Sequence, residues 1–237
     1  SLHDALPILY NKQYDEQLYT NMLGTTGNDE ITTYSDYTKY VEGKQGNDTI
    51  NLSYVAHSTP VKYVYDFERG DGHDTLINSY KNDSLYINKG EDDMYVKFRT
   101  DGWDLKVELY SDSEATSNPQ GSILIKNYFY QLIGSRIDKL VIKSAGENDV
   151  EYSLDTLLRQ EGAVLNEDVN VAFGTAGNDT FVGTSGNDIY YIGDGDDTIT
   201  CTAGNDIYYL SEIYQHHGDA CFNYTVGSGD DVIRSEE

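Results

Sequence analysis

The chain has 237 residues, with 16 Lys plus Arg against 41 Asp plus Glu, a formal net charge of −25. A surface this acidic repels nucleic acid and anionic membranes and attracts cations. Its 22 Tyr, 6 Phe and 22 Gly exclude a purely solvating acidic tail and point to many turns joined by short aromatic strands.

Taken in chain order, Ser1 to Ile8 reads SLHDALPI, which resembles the conceptual translation of a common sequencing adapter. These residues are expected to be an assembly scar, with the natural chain extending upstream. Between 22 and 80, two nine-residue units, GTTGNDEIT from Gly24 and GKQGNDTIN from Gly43, precede a weaker one, RGDGHDTLI, from Arg69. Their sixth positions are Asp29, Asp48 and Asp74. Residues 81–162 lack the unit and read as strands at 84–88, 94–99, 103–110, 122–126 and 136–142. The run from Asn127 to Gly134 is expected to be a short helix or an aromatic turn. A helix is expected over 153–160, capped by Ser153, with Leu154, Leu157 and Leu158 on one face.

The strongest signal lies in 171–234. From Gly174 four units run without a gap, GTAGNDTFV, GTSGNDIYY, IGDGDDTIT and CTAGNDIYY, and a fifth, VGSGDDVIR, starts at Val226 after an insertion. The sixth positions are Asp179, Asp188, Asp197, Asp206 and Asp231, and the fourth positions of the contiguous units are Gly177, Gly186, Gly195 and Gly204. Six residues rich in glycine form a tight turn, and the remaining three are strand formers. Alternate units match best, so the period is eighteen residues, two turns and two strands per winding. Position eight is expected to face the core, stacking Phe181 on Ile199 and Tyr190 on Tyr208. Position nine is expected to form an outer ladder of Tyr191 and Tyr209. The coils then place Asp179 over Asp197 and Asp188 over Asp206. Two carboxylates about 5 Å apart repel by roughly 3 kcal/mol at an effective dielectric near 20. Repeated down a column, that favours an oxygen-loving cation between turns, and calcium, with six to eight flexibly placed oxygen ligands, suits it better than magnesium.

These units resemble the glycine- and aspartate-rich nonapeptides of the RTX (repeats-in-toxin, haemolysin-type) family. Ile192, Cys201, Val226 and Arg69 depart from its first Gly, and Thr25, Thr175, Thr184 and Thr202 from its second. The segment 81–162 resembles the haemolysin-type calcium-binding-related domain, through YDFERGDGHDTLI, ILIKNYF and RIDKLVI. The expected fold is all-β: parallel β-rolls (β-solenoids with eighteen residues per coil) at 22–80 and 171–234, flanking a small strand-rich domain with one short helix. The resemblance implies a secreted, extracellular protein that binds Ca2+, leaves the cell unfolded through type I secretion machinery and folds on calcium binding.

No HExxH, GxSxG, P-loop or EF-hand loop occurs, so no catalytic residues are assigned. The pair His216 and His217 reads as a solvated loop rather than a metal site, and the five Asn-x-Ser/Thr sequons, at Asn47, Asn51, Asn82, Asn178 and Asn223, are not read as glycosylation. Cys201 and Cys221 are too few for a disulfide scaffold, and whether they pair stays open. No apolar run is long enough to span a bilayer. Three larger contexts remain open: an RTX protease or lipase with its catalytic domain upstream, a surface adhesin whose Tyr191 and Tyr209 ladder contacts glycans or a host cell, and a pore-forming toxin.

Overall fold

A nine-residue unit that uses six residues for a turn leaves three for a strand, and the strands are correspondingly short. The computed structural model describes residues 21–33, 40–52, 61–67, 69–90, 94–113, 115, 118–131, 136–160, 164–165, 169–210, 218–223, 227 and 229–234. The adapter-like residues 1–8, the 211–217 stretch with its two histidines, and the acidic pair at 92–93 lie outside them.

The first roll contains β1 (Asn21–Leu23), β2 (Glu30–Thr32), β3 (Tyr40–Glu42), β4 (Thr49–Asn51), β5 (Lys62–Asp66) and β6 (His73–Ile77). Odd strands pair in parallel on one side and even strands on the other. Each coil here holds one nonapeptide turn, and a longer connection returns the chain. Equivalent aspartates are therefore 19 and 26 residues apart, and the eighteen-residue period does not govern this roll.

The next strands, β7 (Ser84–Gly90), β8 (Tyr95–Asp101), β9 (Asp104–Tyr110), β10 (Gly121–Ile125) and β11 (Lys139–Ser144), lie close to the five spans expected, and β12 (Val150–Ser153) is a further strand that the sequence reading did not include. They add to both sheets of the first roll. β7 continues from β5 and β10 from β6, each in parallel, while β8 and β9 extend the second sheet as antiparallel neighbours. β11 pairs with β7 in parallel and β12 closes that edge antiparallel. α1 (Leu154–Leu158) is capped as expected, the Ser153 hydroxyl oxygen accepting the Thr156 N–H at 3.1 Å. β13 (Val164–Leu165) pairs with β8. Position-eight residues Ile31, Ile50 and Leu76 stack in register and continue to Ile125, facing a column of Val41, Tyr63, Leu85 and Leu140, all fully buried.

The second roll is built from β14 (Val169–Phe173), β15 (Thr180–Val182), β16 (Asn187–Tyr191), β17 (Asp197–Thr200), β18 (Ile207–Tyr209), β19 (Ala220–Asn223) and β20 (Val232–Arg234). Its two parallel sheets run β14-β16-β18-β20 and β15-β17-β19. Phe181 pairs with Ile199 and Tyr190 with Tyr208, as the eighteen-residue period requires. Ile192 and Cys201, which stand in place of the first glycine, point inward and fill the core beside them. Cys201 is buried and Cys221 exposed, and no disulfide joins them.

The sequence missed one unit. β19 pairs with β17 in the register Asp197↔Ala220 and Ile199↔Phe222, so Gly218 to Asn223 forms the latter part of a degenerate sixth repeat whose sixth position is Ala220. The insertion inferred before the fifth unit is thus partly a repeat in disguise.

The aromatic ladder also needs correction. Tyr191 and Tyr209 do stack, with ring centroids 4.8 Å apart and planes 11° apart. They face out of the roll, yet they are 0% and 1% exposed, because the aromatic turn after β10 covers them. In that turn Asn127 takes φ 56° and Tyr130 N–H donates to Asn127 O at 3.1 Å, presenting Tyr128 and Phe129 to the roll. The Tyr209 hydroxyl donates to Phe129 O at 2.8 Å. Arg136, wholly buried, sits with its guanidinium carbon 4.3 Å from the Tyr128 ring centre and 4.9 Å from that of Tyr191, and it pairs with Asp155 of α1. One apolar core therefore runs from the first roll to the outer face of the second.

Candidate metal centre

The repeat turns stack into three columns, joined by two ladders of hydrogen bonds that run in opposite directions. At position six the backbone N–H of one coil donates to the carboxylate of the next. Asp29 N–H reaches Asp48 Oδ1 at 2.8 Å and Asp48 N–H reaches Asp74 Oδ1 at 2.8 Å. Asp179 N–H reaches Asp197 Oδ1 at 2.8 Å. In the third column Asp188 N–H reaches Asp206 Oδ1 at 2.9 Å, and Asp206 N–H reaches Asp231 Oδ1 at 3.0 Å. The expected stacking of Asp179 on Asp197 and of Asp188 on Asp206 is thus present, and all eight aspartates belong to one of the columns.

At position five the direction reverses. Asn28 Oδ1 accepts from Asn47 N–H at 2.9 Å and Asn47 Oδ1 from His73 N–H at 3.0 Å. Asn178 serves Asp196, Asn187 serves Asn205, and Asn205 serves Asp230 in the same way. Asn178, Asn187, Asp196 and Asn205 fill this position in the four contiguous units, and that recurrence beside an obligatory aspartate was the signal in the sequence for this second ladder. It also explains the sequons at Asn47 and Asn178, whose side chains are engaged in the stack.

The position-four glycines set how closely coils approach. A Cβ on Gly195 would lie 2.6 Å from the Gly177 carbonyl oxygen, and one on Gly204 would lie 2.2 Å from that of Gly186. Gly195 and Gly204 also hold φ of 119° and 127°, where L side chains are strained. Gly177 and Gly186 thus contribute carbonyls packed directly under the next turn.

Most of these carboxylates are buried. Asp48, Asp74, Asp188, Asp197 and Asp206 are each at most 2% exposed. Burial pushes Asp48 up to about 6, against the Asp29 N–H that favours its charged form. Burial likewise raises Asp206 to about 6, eased by the Asp188 N–H, and Asp74 to about 7, eased by the Tyr63 hydroxyl. The Oδ2 atoms of Asp48, Asp197 and Asp231 are shut off from solvent and have no hydrogen-bond partner. A buried acceptor left unmade costs about 1–3 kcal/mol, more when charged.

Among the described residues no three His, Cys, Asp or Glu side chains gather as a metal site. A cation here would be held by one or two carboxylates together with backbone oxygens. All-oxygen, carbonyl-rich coordination of that kind fits calcium and disfavours zinc or copper. The orphaned carboxylate oxygens are the specific feature a hard cation would satisfy.

Residues 166–199 match the family model of the RTX calcium-binding nonapeptide repeat, which spans four copies. The opening coils of the second roll are thus RTX calcium-binding repeats. A search of the curated proteins found no match to the chain. The RTX match ends at Ile199, but the ladders continue to Asp231 and recur in the first roll at Asp29, Asp48 and Asp74. No helix among the described residues is long and apolar enough to cross a membrane.

Proposed function

We propose that the chain is a calcium-folded module of a secreted protein, exported unfolded through type I secretion machinery and locked into its rolls by Ca2+ outside the cell. The observation that carries this reading is the set of buried carboxylate oxygens at Asp48, Asp197 and Asp231 with no donor to receive them. Calcium, when bound, supplies the positive charge and the oxygen coordination that these atoms lack. The chain's part is to bring the aspartates into register through the two ladders and to admit the approach through glycine. In a cytosol with submicromolar calcium, a chain with a net charge of −25 has no counterion for its columns. Outside, modules of this kind bind at roughly 10⁻⁴ to 10⁻³ M, and binding energy becomes folding energy.

The module is read as non-catalytic, serving a larger RTX protein whose activity lies elsewhere. The glycan-binding alternative loses its proposed surface, because Tyr191 and Tyr209 are buried against Phe129 and Arg136. Circular dichroism of the chain in millimolar calcium and in chelator tests the proposal. A gain of strand signal with calcium is expected, and identical spectra in both would refute it.

A further inference from the structure

The eight position-six aspartates are not equivalent. In three turns, position two is a threonine that closes on the carboxylate of its own unit. Thr25 donates to Asp29 Oδ2 from its N–H at 2.6 Å and its hydroxyl at 2.9 Å. Thr175 does the same to Asp179 Oδ2 at 2.7 and 3.0 Å. The Thr184 N–H reaches Asp188 Oδ2 at 2.9 Å and its hydroxyl reaches Oδ1 at 3.0 Å. In two further turns a tyrosine hydroxyl does this work, Tyr208 on Asp206 Oδ2 at 3.1 Å and Tyr63 on Asp74.

The remaining three carboxylates, Asp48, Asp197 and Asp231, are the ones with an orphaned oxygen. Their turns share a different backbone. Position two is left-handed in each, Lys44 at φ 69°, Gly193 at 83° and Gly227 at 94°, a conformation that the Asp74 turn shares at Gly70 (77°), where the Tyr63 hydroxyl supplies the donor instead. None of the threonines at position two has positive φ. For Lys44 that conformation costs a non-glycine residue about 1–3 kcal/mol and persists only where surroundings enforce it. Asp48 and Asp197 are each 1% exposed, so bulk solvent does not reach the side of the carboxylate that lacks a donor.

We infer that the turns divide into two kinds: those whose carboxylate a threonine or tyrosine closes, among them the turns that open each roll, need no ion, and calcium is taken up at the turns of Asp48, Asp197 and Asp231. This rests on the calcium-folding reading above and sharpens it. The opening coils at Asp29, Asp179 and Asp188 then serve as templates, since their N–H groups already reach the carboxylate of the next coil in register. Of the three sites, the one at Asp48 lies far outside the residues that match the RTX repeat model.

The test is the number of calcium ions bound by the full 237-residue chain, measured by isothermal titration and by tyrosine-sensitised terbium luminescence. Asp48→Asn and Asp197→Asn keep the Oδ1 acceptor of the ladder and are each expected to lower the count by one. Asp179→Asn and Asp188→Asn are expected to leave it unchanged. Lys44→Thr keeps every carboxylate and grafts on the missing donors, and it too is expected to remove one ion while the calcium-loaded circular dichroism spectrum stays that of the parent. Loss of an ion in Asp179→Asn, or an unchanged count in both Asp48→Asn and Lys44→Thr, would overturn the assignment while leaving the calcium-folding reading intact. A parent chain that takes up no calcium at millimolar concentration would overturn both.

Discussion

The two rolls use the same turn with different economies of structure. In the first, each coil carries one nonapeptide turn and a long return, and both sheets run on into the strands that follow. Its aspartate column is backed by a broad core of Leu, Ile, Val and Tyr. In the second, each coil carries two turns; among the described residues six buried side chains, Phe181, Tyr190, Ile192, Ile199, Cys201 and Tyr208, form its interior, and its outer face leans on the shared core. Burying an aliphatic or aromatic side chain gives about 1.5–3 kcal/mol, so six of them leave little surplus over the entropy of ordering the coils. The same ladder is therefore an accessory in the first roll and the main support in the second.

The sharpest way to break that contrast is removal of calcium. In chelator, amide protection at Ile199 and Ile207 is expected to fall to that of an unfolded chain, while Leu76, Leu105 and Ile123 keep theirs. Hydrogen exchange resolved by segment measures both. Uniform loss across the chain would show that the rolls share one folding unit.

Next in size is the joint between them. Arg136→Ala removes a buried cation that pairs with Asp155 and lies between Tyr128 and Tyr191. Breaking a buried pair by removing one partner costs about 3–5 kcal/mol. Thermal unfolding of the calcium-loaded variant is expected to split into two transitions. Gly204→Ala tests the second roll alone. Its added methyl would meet the Gly186 carbonyl at φ 127°, and strain of that kind costs about 1–3 kcal/mol. Chemical denaturation with calcium present should place the loss in the second roll only.

The smallest effect is on pH dependence. Asp48 and Asp206 are raised to about 6 and Asp74 to about 7, against an unfolded value of about 3.9. The metal-free folded state binds more protons than the unfolded one. The contribution of these groups to stability is thus present in full below about pH 4 and lost as pH rises through 6 to 7. Calcium needs the deprotonated form, so its uptake should weaken as pH falls through the same window. Melts in chelator across pH 4–8 check the first statement, and a melting temperature that rises over that range would contradict it.

Much of this was legible in the residues. The units of the second roll gave its coil length, the Phe181 to Ile199 and Tyr190 to Tyr208 register, and the aspartate columns, because a repeat carries its own neighbours in its spacing. The cap at Ser153 was equally local. What escaped depended on distant parts of the chain. Position nine points out of the roll by strand alternation, but only the docking of Phe129 and Arg136 decides that Tyr191 and Tyr209 are covered. The unit ending at Asn223 kept Gly218 at φ 143° and the core residue Phe222 yet lost its aspartate to Ala220, so a pattern anchored on acid passed over it. The division of turns by threonine was visible as departures from glycine, but its meaning lies in hydrogen bonds that spacing does not reveal.

The variable coil length carries a practical consequence. Equivalent aspartates stand 18, 19, 25 and 26 residues apart, while the glycine contacts keep every coil at the same pitch. Extra residues between strands leave the stack undisturbed: β17 and β19 remain paired, and Asp219 N–H still reaches Asp196 Oδ1 across 23 residues. Coil length is therefore free to drift by insertion or loss between strands, so long as the turn residues that meet across coils are kept.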